Sequence, residues 1–311
     1  MKRKLETGYT TPVPLWDSEQ YALLDFGNGR KLERFDSWTL DRPCPAALAE
    51  GRTSPSDWQA AGSRLDSDGD LLAGQPPPPL WQCSFSAPQF EGSLQFQLKL
   101  TPFGHVGLFP EQASNWRWLA GLIDELRQHN SPLPPQALNL FAYTGGSSLA
   151  MAAAGAAVVH VDASTPSIKW ARNNAALSGG TQWPIRWIVD DARKFVARQV
   201  RRGKRYQLIV LDPPSYGHGA SGQRWSLSQH LQSLLSDCLE LLEPQRGILL
   251  LTAHCETPTA GDIAQWLKSQ VPTAHVEHDR LQLAAQSGKL LDAGFYVRFA
   301  LNRNTQLLRL A

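Results

Sequence analysis

The sequence predicts an α/β fold: a doubly wound, mostly parallel sheet closed by an antiparallel C-terminal pair and preceded by a smaller β-rich region. Three observations predict it. Residues 137–164, ALNLFAYTGGSSLAMAAAGAAVVHVDAS, read as strand, glycine turn, helix, strand, which is one βαβ unit. From there to about residue 270, short apolar runs alternate with helix-forming stretches. Carboxylates stand where the apolar runs end, at Asp162, at Asp190 and Asp191, and at Asp212.

The elements follow in order. Residues 21–26, a Gly27-Asn28-Gly29 turn and residues 31–35 predict a β-hairpin, and residues 38–40 a further short strand. Residues 52–79 are polar, rich in Pro and Gly, and carry four consecutive prolines at 76–79; an exposed loop is expected. Within it, Asp66-Ser67-Asp68-Gly69-Asp70 has a loose likeness to a calcium loop but lacks the closing glutamate. Strands are expected again at 80–85 and 94–100. Residues 1–105 thus read as a small β-rich domain or cap, and residues 106–311 as the main domain. An amphipathic helix is expected over 116–128. In the βαβ unit, Leu138, Leu140 and Phe141 begin the strand and turn, Ser147 or Ser148 is expected to cap the helix, and Val158, Val159 and Val161 lead to Asp162. Strand 185–189, helix 192–202, strand 206–211, helix 226–242, strand 248–252 and helix 261–270 come next. An antiparallel pair, 275–283 and 294–301, finishes a Rossmann-like sheet.

Composition limits the function. A chain of 311 residues with 42% hydrophobic and 19% charged residues buries a large core as a globular protein. A net charge of +2 does not announce a polyanion, so any nucleic-acid site must be local. Cys44, Cys83, Cys238 and Cys255 show no C-x-x-C pairing, which argues against a zinc site and for a reducing cytoplasm. The opening MKRKLETGYTTPVPL has no apolar core of a secretion signal. The longest apolar run, residues 247–253, is too short to span a bilayer. No membrane and no metal are expected.

The βαβ unit reads as a nucleoside site. A carboxylate at the tip of the second strand, Asp162, can accept from both hydroxyls of a ribose. Gly145 and Gly146 lack a Cβ and would let a ligand approach the backbone. A dinucleotide fold would place G-x-G-x-x-G here for a pyrophosphate. The turn has Phe141-Ala142-Tyr143-Thr144-Gly145-Gly146 instead. That suits a cofactor without phosphate, and S-adenosylmethionine fits.

The sharpest chemical motif is Asp212-Pro213-Pro214-Ser215-Tyr216. Two prolines fix the backbone directly after a strand and aim the carboxylate and a proline carbonyl one way. Such a rigid acceptor pair suits the polar edge of a planar base, with Tyr216 to stack on its face.

Together these segments resemble the S-adenosylmethionine-dependent methyltransferases grouped with the bacterial large-subunit rRNA methyltransferases that make 5-methylcytosine or 7-methylguanine. The likeness rests on residues 30–35 and 40–43, Gly107-Leu108-Phe109-Pro110-Glu111-Gln112, Asn139-Leu140-Phe141-Ala142-Tyr143-Thr144-Gly145, Val161-Asp162-Ala163-Ser164, Asp190-Asp191-Ala192-Arg193 and Asp212-Pro213-Pro214. It implies a class I methyltransferase sheet, S-adenosylmethionine as cofactor and an RNA substrate, rRNA in particular. It also implies roles. Phe109, Gln112, Phe141, Ala142, Tyr143, Thr144 and Gly145 would surround the methionine part. Asp162 would hold the ribose with Ser164 beside it. Asp191 and Ala192 would meet the adenine, and Asp212 and Pro213 would face the target base. Asn174, in the helix after Asp162, is a supporting candidate. Cys255 matches the cysteine that attacks C6 of cytosine in the 5-methylcytosine enzymes, although its Ala-His-Cys-Glu setting departs from their Ser-Cys-Ser pattern; a small structural cysteine is the competing reading. The basic run Arg198, Arg201, Arg202, Lys204 and Arg205 is an RNA contact or a set of cations at a helix C-terminus. The alternatives are methylation of a small molecule or protein, and a binding protein without turnover.

Overall fold

The structure, a computed structural model, describes residues 15–128, 133–218 and 224–301. The expected signal-free opening, residues 1–15, lies outside them except for Leu15. The first sheet has five strands in the order β1 (Tyr21–Gly27), β2 (Arg30–Phe35), β3 (Trp38–Pro43), β4 (Ser63–Leu65), β5 (Leu71–Gly74). The β1–β2 hairpin forms as predicted. The stretch expected to be a loop does not stay one: it contains α1 (Pro55–Gln59) and the β4–β5 pair. The pair exists because β4 joins β3 in parallel, Leu40 opposite Ser63, a partner that local composition does not announce. The Asp66–Asp70 run is the turn of that pair. Asp66 Oδ1 accepts from the amides of Asp68 and Asp70, both at 2.9 Å. A ribbon of β6 (Gln82–Phe85) and β7 (Leu94–Gln97) follows.

After α2 (Ala113–Gln128) comes the main sheet. Its strands are β8 (Gln136–Leu140), β9 (Ala157–Asp162), β10 (Ile185–Val189), β11 (Leu208–Leu211), β14 (Ile248–Ala253), β15 (His275–Ala284) and β16 (Leu290–Ala300). They run in the order β10-β9-β8-β11-β14-β16-β15, the first five parallel and the last two antiparallel. The helices are α3 (Gly146–Ala153), α4 (Thr165–Leu177), α5 (Ala192–Arg201), α6 (Leu227–Leu241) and α7 (Ala260–Gln270). A short hairpin not expected from the sequence, β12 (Tyr216–His218) with β13 (Arg224–Ser226), follows β11. Serine does not cap α3: its N-cap is Gly145, at φ +94°, and Ser147 and Ser148 lie inside the helix.

One register row positions the site. Leu140 pairs with Val161 and with Leu211, and Leu211 with Leu251. The next residues, Phe141, Asp162, Asp212 and Thr252, therefore emerge along one edge. Chain order reverses between β8 and β11, so this edge opens the crevice where such sheets bind ligands.

The β-rich region shares its core with the rest. Phe35, Phe85 and Phe96 belong to one buried cluster with Trp116, Leu149 and Leu283. Lys289, at the tip of the β15–β16 hairpin, reaches back to it. Its Nζ donates to the carbonyls of Phe26 (2.6 Å) and Gly51 (2.8 Å) and pairs with the buried Asp25 (3.0 Å). No helix among the described residues is long and apolar enough to cross a membrane.

Candidate cofactor and acceptor site

A cavity of about 660 Å³ opens at the sheet edge. Its floor is the turn after β8. Phe141 and Tyr143 both have left-handed backbones, φ 54° and 46°, each costing on the order of 1–3 kcal/mol for a residue with a Cβ. The surroundings hold that turn in place. Asp162 Oδ2 accepts from the Tyr143 amide and Oδ1 from the Ser164 amide, both at 2.8 Å. Thr144 Oγ1 donates to Gly107 O at 2.6 Å. Asn174, buried behind the turn, donates to Thr144 O (3.0 Å) and accepts from the Gln97 amide of β7 (2.9 Å). The β-rich region thereby helps shape the floor.

Gly146 lines the cavity, and both glycines are also closely packed against the protein. A Cβ on Gly145 would meet Leu149 and Ala171 at 2.8 and 3.0 Å, and one on Gly146 would meet the Trp116 ring at 2.5 Å. The protein itself therefore leaves no room for a side chain at either position. Gly107, at φ +87°, is as constrained, because a Cβ there would strike Trp170 at 2.1 Å.

Four carboxylates line the cavity: Asp162, Asp190, Asp191 and Asp212. Loss of water pushes Asp162 above the usual carboxylate range, against the pull of its two amide partners. Asp191 is the N-cap of α5, its Oδ1 accepting from the Lys194 amide at 3.1 Å. Asp190 instead pairs with Arg198, which places one cation of the basic run in an intramolecular bond. Asp212 is also raised by burial, with His254 and the Thr252 hydroxyl pulling the other way. Its Oδ1 accepts from Thr252 Oγ1 at 2.7 Å and its Oδ2 from Gln112 Nε2 at 3.4 Å. Gln112 Nε2 also reaches Thr252 Oγ1 (3.1 Å), and Asn115 donates to Gln112 Oε1 (2.9 Å). The Gln112 amide is committed to this network.

The structure brings together most of the residues singled out from the sequence. Phe109, Gln112, Phe141, Ala142, Tyr143, Thr144, Asp162, Ser164, Asp191, Ala192, Asp212 and Pro213 line the cavity. Gly145 and Asn174 stand behind its wall. Tyr216 and Cys255 do not line it. Tyr216 is 78% exposed and, with Cys255, borders a neighbouring hollow. The Cys255 thiol donates to Pro258 O at 3.4 Å, and burial pushes its pKa up. A nucleophilic cysteine needs the opposite shift.

Sequence reasoning missed several lining residues. Trp225 is buried, packs on Phe141 at 4.9 Å and donates from Nε1 to Pro214 O at 2.6 Å. Its nearness in sequence to Asp212 was the one available signal. His254 lines the mouth, 3.6 Å from the buried Glu111, and its carbonyl accepts from Ser215 Oγ at 3.2 Å. His105 also lines the cavity, and burial and the Arg42 charge hold it below the usual imidazole range. Among the described residues, no three His, Cys, Asp or Glu side chains gather as metal ligands.

This crevice, at the carboxyl edge of a sheet of the order described, is that of an S-adenosylmethionine-dependent methyltransferase. The model of that family matches residues 59–276, and the chain belongs to the family. A crystal structure of the SAM-dependent methyltransferase from Agrobacterium tumefaciens is 34% identical, covers 91% of each chain and superposes with a TM-score of 0.81. A Streptococcus mutans putative methyltransferase shares the fold at 16% identity and a TM-score of 0.65. The ribosomal RNA large subunit methyltransferase K/L of Shewanella frigidimarina is 30% identical over 161 residues, which are 51% of this chain and 21% of that protein. The ribosomal RNA large subunit methyltransferase I of Shewanella amazonensis is 31% identical over 164 residues, 52% of this chain and 38% of that one. The matched stretch is thus well under half of either relative. The cofactor is S-adenosylmethionine, and its fit is physical. The cavity offers aromatic walls, a carboxylate at the tip of β9 and no glycine cradle for a phosphate.

Proposed function

We propose that this enzyme methylates a nucleobase of RNA, with large-subunit rRNA as the first candidate. The observation that carries the reading is Asp212. Its carboxylate is fixed by Thr252 and Gln112 and stands at the cavity beside Pro213. A stiff hydrogen-bond acceptor of this kind suits the N–H edge of a planar base better than a flexible chain. The named activity of the rRNA methyltransferase relatives supports the same substrate class.

In this reading Asp162 takes the ribose hydroxyls, with Ser164 beside it, and Asp191 and Ala192 meet the adenine. Phe109 and the turn from Phe141 to Gly145 enclose the amino-acid end. Gln112 acts chiefly through Asp212, and Asn174 through Thr144. The bound cofactor supplies a methyl group on a sulfonium, already a strong electrophile. What remains for the protein is positioning. Asp212 orients the acceptor so that its lone pair faces the methyl carbon, and the aromatic walls exclude water.

Incubation with radiolabelled S-adenosylmethionine and separate RNA, protein and metabolite extracts tests the proposal. Label in the RNA fraction is expected, and nucleoside mass spectrometry then identifies the base. Label in protein or metabolites alone would overturn the substrate class. Label nowhere would favour a binding protein without turnover.

A further inference from the structure

The hollow next to the main cavity holds about 330 Å³ and is bordered by Tyr216, Leu227, Ser228, Cys255, Glu256 and Thr257. Ser215 lines both spaces, so the two adjoin across it. Tyr216 is the anomaly. An aromatic side chain that is 78% exposed forgoes the burial that usually holds such a ring. Among the described residues no ring stacks on it and no hydrogen bond satisfies it.

Its backbone, by contrast, is pinned. Tyr216 pairs with Ser226 across the β12–β13 hairpin. Ser215 O accepts from the Leu227 amide at 3.0 Å, and Ser215 Oγ donates to His254 O. Trp225, buried beneath, ties the hairpin to Pro214. A rigid base presenting a free aromatic face is a stacking platform.

The surrounding chemistry selects what stacks there. Ser228, Thr257 and Glu256 give hydroxyls and a carboxylate for the N–H and carbonyl edge of a base. Glu256 opposes a phosphate. Cations belong to the main cavity instead: Arg193 lines it and donates to the carbonyl of the exposed Arg224 at 3.3 Å.

Resting on the RNA reading above, we propose that this hollow is a second nucleobase subsite. It takes the base adjoining the acceptor in a single strand and stacks it on Tyr216. The substrate is then an oligonucleotide segment with two neighbouring bases splayed out, rather than a free nucleoside or an intact duplex.

The test compares wild type, Y216A and Y216F on unfolded bulk rRNA, with S-adenosylhomocysteine binding measured by calorimetry to show that the cofactor site is intact. The expected result is a KM for RNA raised about tenfold to a hundredfold in Y216A, a much smaller change in kcat, and recovery of the affinity in Y216F. An unchanged KM in Y216A overturns the subsite alone. So does a loss confined to kcat, which would place the ring on the acceptor base. No transfer to any RNA by wild type overturns both the subsite and the reading beneath it.

Discussion

Asp162 and Asp212 stand at the tips of β9 and β11, on one edge of one sheet, and burial raises both above the ordinary carboxylate range. They are held by different means. Asp162 is satisfied by backbone amides 19 and 2 residues away. Asp212 is satisfied by side chains, Thr252 at 40 residues' separation and Gln112 at 100. A backbone amide cannot be exchanged by substitution, so the two partners of Asp162 survive a change of side chain at Tyr143 or Ser164. The Asp212 half is only as rigid as its supporting side chains. Conserving a common cofactor while varying the acceptor asks for this division.

The largest expected effect is that of Asp212→Asn. Methyl transfer should fall by about 10²-fold, the scale of loss when a reacting group is misplaced by about 1 Å, with cofactor affinity within a few fold. Lost cofactor binding in calorimetry would erase the distinction between the two halves. Asp162→Ala should act the other way round, weakening cofactor binding by about 10- to 100-fold. It should also lower the thermal midpoint, because the Tyr143 and Ser164 amides lose their partner.

Thr252→Val sharpens the comparison further. The hydroxyl lowers the Asp212 pKa, so its removal should raise it. Activity needs the carboxylate and is lost as pH falls through that pKa; the acid limb of the pH–rate profile should therefore move to higher pH. Turnover at neutral pH should drop about tenfold, while cofactor affinity is kept. An unmoved limb would show that Thr252 does not support Asp212. The smallest effect is expected from Cys255→Ala, which should keep wild-type turnover. Arrested turnover in that variant, with covalent trapping of wild type on 5-fluorocytosine RNA, would restore the cysteine to the chemistry.

Legibility in the sequence follows the same division. Residues 185–189 match the bounds of β10, and residues 137–164 form the expected strand, glycine turn, helix and strand, because strand period and a glycine turn are local signals. The β4–β5 pair was missed since its partner, β3, lies some twenty residues upstream and a Pro- and Gly-rich stretch reads as loop. Trp225 and His254 were missed as cavity walls for a related reason. Their contacts run to Phe141 and Glu111, and no periodicity marks a contact across two loops. At Gly145 and Gly146 the sequence shows that space is needed, but not that Trp116 and Ala171 also press on them.

Lys289 meets Phe26 across 263 residues. During synthesis β1 therefore waits for a hairpin made some 263 residues later before Asp25 gains its cation. Contacts of such long range form slowly. Until then the early strands stand with part of their core uncovered, a state open to chaperones and to aggregation alike. The hairpin thus works as a latch that closes on a sheet made long before it.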